Sequence, residues 1–115
     1  MSDIKKLIEQ IVNFIDERDW GNFQTPKDLA ISITLEAAEL LEHFQWRSPE
    51  EIEVYAKKNK EEIGDELADV FVYLLELSHI LQIDLIEAAK QKIKKNAKKY
   101  PVEKSRGRHI KYTKL

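Results

Sequence analysis

Between Lys60 and Gln82 the chain reads KEEIGDELADVFVYLLELSHILQ, a stretch without proline whose single glycine, Gly64, falls in its first turns. From Leu67 to Leu77 apolar residues occupy nearly every side of the helix this spacing predicts, as in a buried helix. Carboxylates are nevertheless set into it. At about 100° per residue, Glu62, Glu66, Asp69, Tyr73, Leu77 and Ile80 share one stripe that begins acidic and ends apolar. Acids that continue the line of a buried face point to carboxylates at the mouth of a pocket, because buried carboxylates are costly unless paired or bound to a metal.

The flanking segments read as further helices. Ile4, Leu7, Ile8, Ile11, Val12 and Ile15 follow helical spacing, and Ser2 offers an N-cap, so a first helix is expected from about Ser2 to Asp19. Trp20–Thr25 reads as a loop around Gly21-Asn22. Thr25-Pro26-Lys27-Asp28 then supplies a cap, a proline at the first helical position and an acid for the positive helix end. The second helix is expected to run to about Trp46, with Leu29, Ala30, Ile33, Ala37, Leu40, Leu41 and Phe44 as its core face. Ser48-Pro49-Glu50-Glu51 starts a short helix to about Lys58, and Asp84-Leu85-Ile86-Glu87 starts a last one to about Lys99; both openings have capping-box form. Pro101 stops it, and the residues beyond lack periodicity. The pattern therefore predicts an all-α, four-helix bundle-like domain over residues 1–100 with one short extra helix, followed by a tail over 101–115. The long apolar helix carries more apolar circumference than three neighbours can cover, so a second copy of the chain is expected to complete the core.

With 115 residues a single domain is expected, and the absence of cysteine excludes disulfides and thiolate metal sites. No apolar run approaches the ~20 residues of a membrane span, and no secretory signal opens the sequence, so a cytoplasmic protein is expected. The formal net charge of −2 hides an uneven distribution: residues 1–89 hold 20 acids and 8 bases, whereas residues 90–115 hold 1 acid and 11 bases. The basic end can neutralise the acidic body or bind anions such as phosphates.

Two acidic pairs carry the candidate chemistry. Glu36-Ala37-Ala38-Glu39 and Glu66-Leu67-Ala68-Asp69 each place carboxylates three residues apart, which makes them neighbours on a helix face. The 26 residues between Glu39 and Glu66 leave room for the short helix to reverse the chain. If the two long helices run antiparallel, four carboxylates converge into a hard-oxygen site suited to Mg²⁺ or Mn²⁺.

The chain resembles the all-α nucleotide pyrophosphohydrolases of the MazG-like superfamily, and within it the dCTP pyrophosphatase branch. The residues that carry the resemblance are ERDW at Glu17–Trp20 followed by Phe23, Pro26 and Leu29-Ala30, then EAAELLEHFQW at Glu36–Trp46, DELADVFVYL at Asp65–Leu74, NAKKYP at Asn96–Pro101 and SRGRHIKYTKL at Ser105–Leu115. They cover nearly the whole chain in order. The resemblance implies hydrolysis of a nucleoside triphosphate, dCTP-like or another pyrimidine, to the monophosphate plus pyrophosphate with Mg²⁺, in a homodimer or homotetramer. It implies that Glu36, Glu39, Glu66 and Asp69 hold the metal, that Glu62 could assist, and that Trp20, Trp46 and Tyr73 line the base pocket, where flat rings stack a nucleobase. Lys92, Asn96 and Tyr100 would meet the phosphates, with Arg106 and Lys111 of the tail as further candidates. A water held by the metal, or one oriented by Glu36 or Glu39, would attack in line, and no covalent nucleophile is needed.

Three positions depart from relatives near the expected base pocket. Gln24 stands where many carry histidine, Asp28 where many carry asparagine, and Ile11 where some dCTP-preferring members carry histidine. Two rival readings remain. Glu76-Leu77-Ser78-His79 is a Glu-x-x-His, but a di-iron bundle requires two such motifs. A non-catalytic helical module would use the basic tail to bind nucleotides or nucleic acid, although the acidic balance of residues 1–89 argues against a stable nucleic-acid partner. His43 and His109 read as surface polar residues.

Overall fold

The computed structural model describes residues 2–115, and among them every regular element is helical. The elements are α1 (Asp3–Glu17), α2 (Pro26–Glu42), α3 (Pro49–Lys58), α4 (Lys60–Ile80), α5 (Leu85–Lys99) and a single turn, α6 (Val102–Ser105), with 3₁₀ turns at Gly21–Phe23 and Tyr112–Lys114. The all-α class, with four long helices and a short extra one, is as expected. The residues fall into two compact units, 1–82 and 83–115.

Local chemistry sets the helix boundaries. The hydroxyls of Ser2, Thr25 and Ser48 and the Asp84 carboxylate each accept the backbone N–H three residues on, satisfying a donor that the first helical turn leaves free. Only Thr25 forms a reciprocal capping box. Asp28 accepts from the Thr25 backbone N–H at 3.2 Å and from its hydroxyl at 2.7 Å, and these bonds hold the Asp28 carboxyl below its usual range. At Ser48 and Asp84 only the forward half of the expected box forms. Helix α2 ends at Glu42, not near Trp46. The Arg47 guanidinium donates to the His43 carbonyl at 2.7 Å and stacks 3.6 Å over the Tyr55 ring, while His43 Nδ1 pairs with the Tyr55 hydroxyl at 2.7 Å. This cluster folds the end of α2 onto α3, so His43 is a tethering residue and not a surface one. Ser48 is held extended by the proline after it.

Within residues 1–82, α4 packs mainly on α2 and also on α1 and α3. The buried apolar residues among those described are Ile11 and Ile15 of α1, Leu29 of α2 and Leu75 of α4, the two leucines fully so. The expectation of an α4 buried on every side does not hold for one chain. Leu75, Glu76 and Ser78 are buried, but Leu67, Phe71 and Leu74 remain 53%, 41% and 38% exposed. One chain has too few helices to cover a rod that is apolar all round. The same shortage exposes Ala30, Ala37 and Leu41 of the face assigned to α2. In the second unit the segment after Pro101 is not featureless. Gly107 takes a left-handed φ of 72° after α6, and Tyr112 meets Tyr100 edge-on at 5.9 Å with Lys99 Nζ 4.9 Å from its ring centre.

Candidate active site

The direction of α4 against α2 follows from two contacts. Gln24, just before α2, meets Glu76 near the end of α4; Glu36 and Glu39, further along α2, meet Glu66 near the start of α4. Advancing along one helix retreats along the other, so the two run antiparallel. One ligand atom each from Glu36, Glu39 and Glu66 lies within 4.8 Å of the others, and this is the one group of three or more potential metal ligands among the described residues. Glu36 Oε2 and Glu66 Oε2 are buried and lack a hydrogen-bond partner. Burial, then the neighbouring Glu39, Asp69 and Glu66, push the Glu36 carboxyl up to about 7; burial, then Glu39, raise Glu66 as well. Carboxylates crowded together and unpaired are neutralised either by a proton or by a bound cation. An all-oxygen donor set of this kind fits Mg²⁺ or Mn²⁺.

Asp69 lies outside that tight trio but lines a neighbouring cavity of ≈ 360 Å³. Trp20 and Tyr73 line the same cavity, together with Ile11, Phe14, Ile15 and Val72. The end of α1 explains Trp20. Asp19 adopts a left-handed φ of 53°, its N–H donates to the Asp16 carbonyl and the Trp20 N–H donates to the Ile15 carbonyl, both at 3.1 Å. This Schellman closure turns the chain back so that the Trp20 ring meets Phe14 edge-on at 5.8 Å. Phe23, by contrast, is 73% exposed and is no part of the cavity wall. Burial raises the Tyr73 hydroxyl, and the charges of Glu36, Asp69 and Glu76 raise it further.

The other candidates do not join this arrangement within residues 1–82. Trp46 is 85% exposed in the turn after α2 and is no part of the cavity wall. Glu62, one turn before Glu66, is exposed and outside the trio. Lys92, Asn96 and Tyr100 lie in the second unit, exposed along α5 and at its C-terminal end, and Arg106 and Lys111 are exposed beyond it. Of the three departures, Gln24 and Ile11 line the cavity, whereas Asp28 is occupied in the cap of α2. The sequence reading missed Glu76, which is 5% exposed, lines the cavity and accepts from the Gln24 amide. The signal was available, since Glu76 follows Tyr73 by three residues and Asp69 by seven, on the same helix face. His79, its partner in the di-iron reading, is exposed, and the two belong to no larger ligand group among the described residues.

Comparison with known proteins agrees with this fold. A profile of the MazG-like family matches residues 31–115. Over its full length the chain is 37% identical to dCTP pyrophosphatase 1 of Mus musculus and 32% identical to that of Homo sapiens, covering 67% of each. It also resembles the crystal structure of a pyrophosphatase from Archaeoglobus fulgidus, with 44% identity and a TM-score of 0.84 over 88% of this chain and 94% of that one. The chain belongs to the MazG-like family. It is an enzyme, a hydrolase of the nucleotide pyrophosphatase class, which sets aside the non-catalytic module. No helix among the described residues is long and apolar enough to cross a membrane.

Proposed function

We propose that the chain hydrolyses a pyrimidine nucleoside triphosphate, dCTP or a close relative, to the monophosphate and pyrophosphate with Mg²⁺. The observation that carries this reading is the Glu36, Glu39 and Glu66 trio beside a cavity walled by Trp20 and Tyr73. Glu36, Glu39 and Glu66 hold the cation, with Asp69 completing the set from the cavity side. When bound, Mg²⁺ neutralises triphosphate charge so that a nucleophile can approach. Trp20 and Tyr73 take the flat base between them, while Ile11, Phe14 and Val72 supply the apolar wall around it. A water oriented by Glu36 or Glu39 attacks, its proton passing to that carboxylate, and one bridging P–O bond of the triphosphate breaks. Lys92, Asn96 and Tyr100, with Arg106 and Lys111, supply the cationic and hydrogen-bonding groups for the phosphates. The catalytic domain spans residues 1–100, with 101–115 as its basic tail, and the protein works in the cytoplasm. A panel of nucleoside triphosphates, with both products measured, tests the activity. Release of monophosphate plus pyrophosphate from pyrimidine substrates, abolished by a chelator, is expected; inactivity across the panel contradicts the reading.

Proton competition at the trio has a measurable consequence. Glu36, and in the same direction Glu66, bind a proton more tightly folded than unfolded. In metal-free protein that contribution to stability is fully present below the ordinary carboxylate range, about 4.3, and is lost as pH rises through about 7. Mg²⁺ competes with those protons. Melting curves with Mg²⁺ and with chelator should therefore show a larger Mg²⁺ stabilisation at pH 8 than at pH 5. Equal shifts at the two pH values would contradict the assignment.

The assembly is a homodimer or homotetramer. Leu67, Phe71 and Leu74 recur at i, i+4 and i+7, so these three exposed apolar residues of α4 form one stripe, as a helix awaiting a second copy would. Trp46 joins a base pocket only in such an assembly. Phe71→Glu should reduce the mass measured by light scattering to that of a smaller species; an unchanged mass would place the interface elsewhere.

A further inference from the structure

Glu76 is the one carboxylate in the cavity that the proposed chemistry leaves unused. It is 5% exposed and stands between two voids, the ≈ 360 Å³ cavity of Trp20 and Tyr73 and one of ≈ 420 Å³ bounded also by Thr25, Pro26 and His79. The Gln24 amide nitrogen donates to it, 2.6 Å from Oε1, and also contacts Oε2. This pair replaces water around a group that burial alone raises to about 7. A carboxylate offers about four lone-pair sites, and one amide cannot fill them. With its nitrogen committed to Glu76, the Gln24 side chain has only its carbonyl oxygen to offer elsewhere. The pair therefore presents acceptors to the cavity and no donor once Glu76 is ionised.

Position along the helix gives this edge its meaning. Asp69 marks the end of the cavity nearest the acidic trio, and Glu76 lies seven residues on, about 10.5 Å along the axis. That is comparable to the span of a nucleoside from its 5′ oxygen to the distal edge of its base. A base stacked on Trp20 and Tyr73, with its phosphates toward Asp69, turns its distal edge to Glu76.

We infer that Glu76, oriented by Gln24, is the specificity-determining group of this cavity, selecting a base with an exocyclic amino group at its distal edge over one with a carbonyl there. The inference rests on the proposed nucleotide hydrolysis and adds the residue that reads the base. Cytosine offers its N4 amino hydrogens to the carboxylate, a pairing known from carboxylate side chains that read this edge. Uracil places its O4 acceptor against the same oxygens and leaves both sides unpaired, an arrangement that buried sites reject strongly.

The experiment compares kcat/KM for dCTP and dUTP with Mg²⁺ at pH 8, in the wild-type chain and in Glu76→Gln, which keeps the shape and can donate to O4. The wild type should favour dCTP by about tenfold or more, and Glu76→Gln should lose most of that preference, chiefly through KM for dCTP. The same dCTP:dUTP ratio in both proteins, or a wild-type preference for dUTP, overturns the assignment. Binding of dCMP and dUMP to the wild type, measured by calorimetry, needs neither the variant's folding nor turnover. Tighter dCMP binding by a similar factor supports the assignment, and equal binding overturns it. A wild type that hydrolyses no triphosphate defeats the enzymatic reading, and the monophosphate comparison still decides the role of Glu76.

Discussion

Glu39→Ala should lower Mg²⁺-dependent turnover by on the order of 10²–10³-fold while leaving the helical circular dichroism intact. Glu39 is the exposed member of the trio, so its removal opens no apolar void. What it removes is one of the three carboxylates whose oxygens meet within 4.8 Å, and with it part of the charge that draws a divalent cation to the buried oxygens of Glu36 and Glu66. In the metal-free protein the same change relieves repulsion, because Glu39 is among the groups that raise both neighbours. The variant should therefore melt no lower than the wild type in chelator and should lose most of the stabilisation given by Mg²⁺. Asp69→Ala should behave in the same way for turnover. Collapse of the fold in either variant would show that these acids hold the helices together instead of a cation.

The largest effect on stability is expected from Leu75→Ala and Leu29→Ala. Each side chain is 1% exposed, the two deepest positions among the described residues. Truncation of a buried leucine costs about 2–5 kcal/mol, from lost transfer free energy and the cavity left behind. Against a total stability of about 5–15 kcal/mol, either change should lower the melting temperature on the order of 10 °C or more. Leu67→Ala, on the half-exposed stripe, provides the contrast. A Leu75→Ala protein that melts with the wild type would mean that the α2–α4 contact is not the stabilising centre of residues 1–82.

Local signals made much of this structure legible. Thr25-Pro26, Ser48-Pro49 and Asp84 mark helix starts because a cap and a proline act within one turn. The acidic pairs could be read as converging because i, i+3 spacing fixes neighbours on one helix, and a reversal between two helices does the rest. What stayed hidden depends on distant residues. Glu76 sits between Leu75 and Leu77, and its partner Gln24 is brought to it only by the antiparallel packing of α2 and α4. The end of α2 was misplaced because Arg47 and His43 are held by Tyr55, a contact that helical periodicity does not encode. The turns after Pro101 were missed for the same reason, since Tyr112 folds back on Tyr100. The apolar character of α4 was legible, but how much of its surface one chain covers is a matter of how many helices surround it. The tight trio without Asp69 likewise reflects how far the second acid of the Glu66/Asp69 pair is turned toward the cavity.

The most direct test of the account is the position of a manganese ion. Crystals grown with Mn²⁺ and a non-hydrolysable dCTP analogue should give an anomalous peak coordinated by Glu36, Glu39 and Glu66, with the base of the analogue against Trp20 and Tyr73. Manganese bound elsewhere, with those three carboxylates free while the analogue occupies its site, would contradict it.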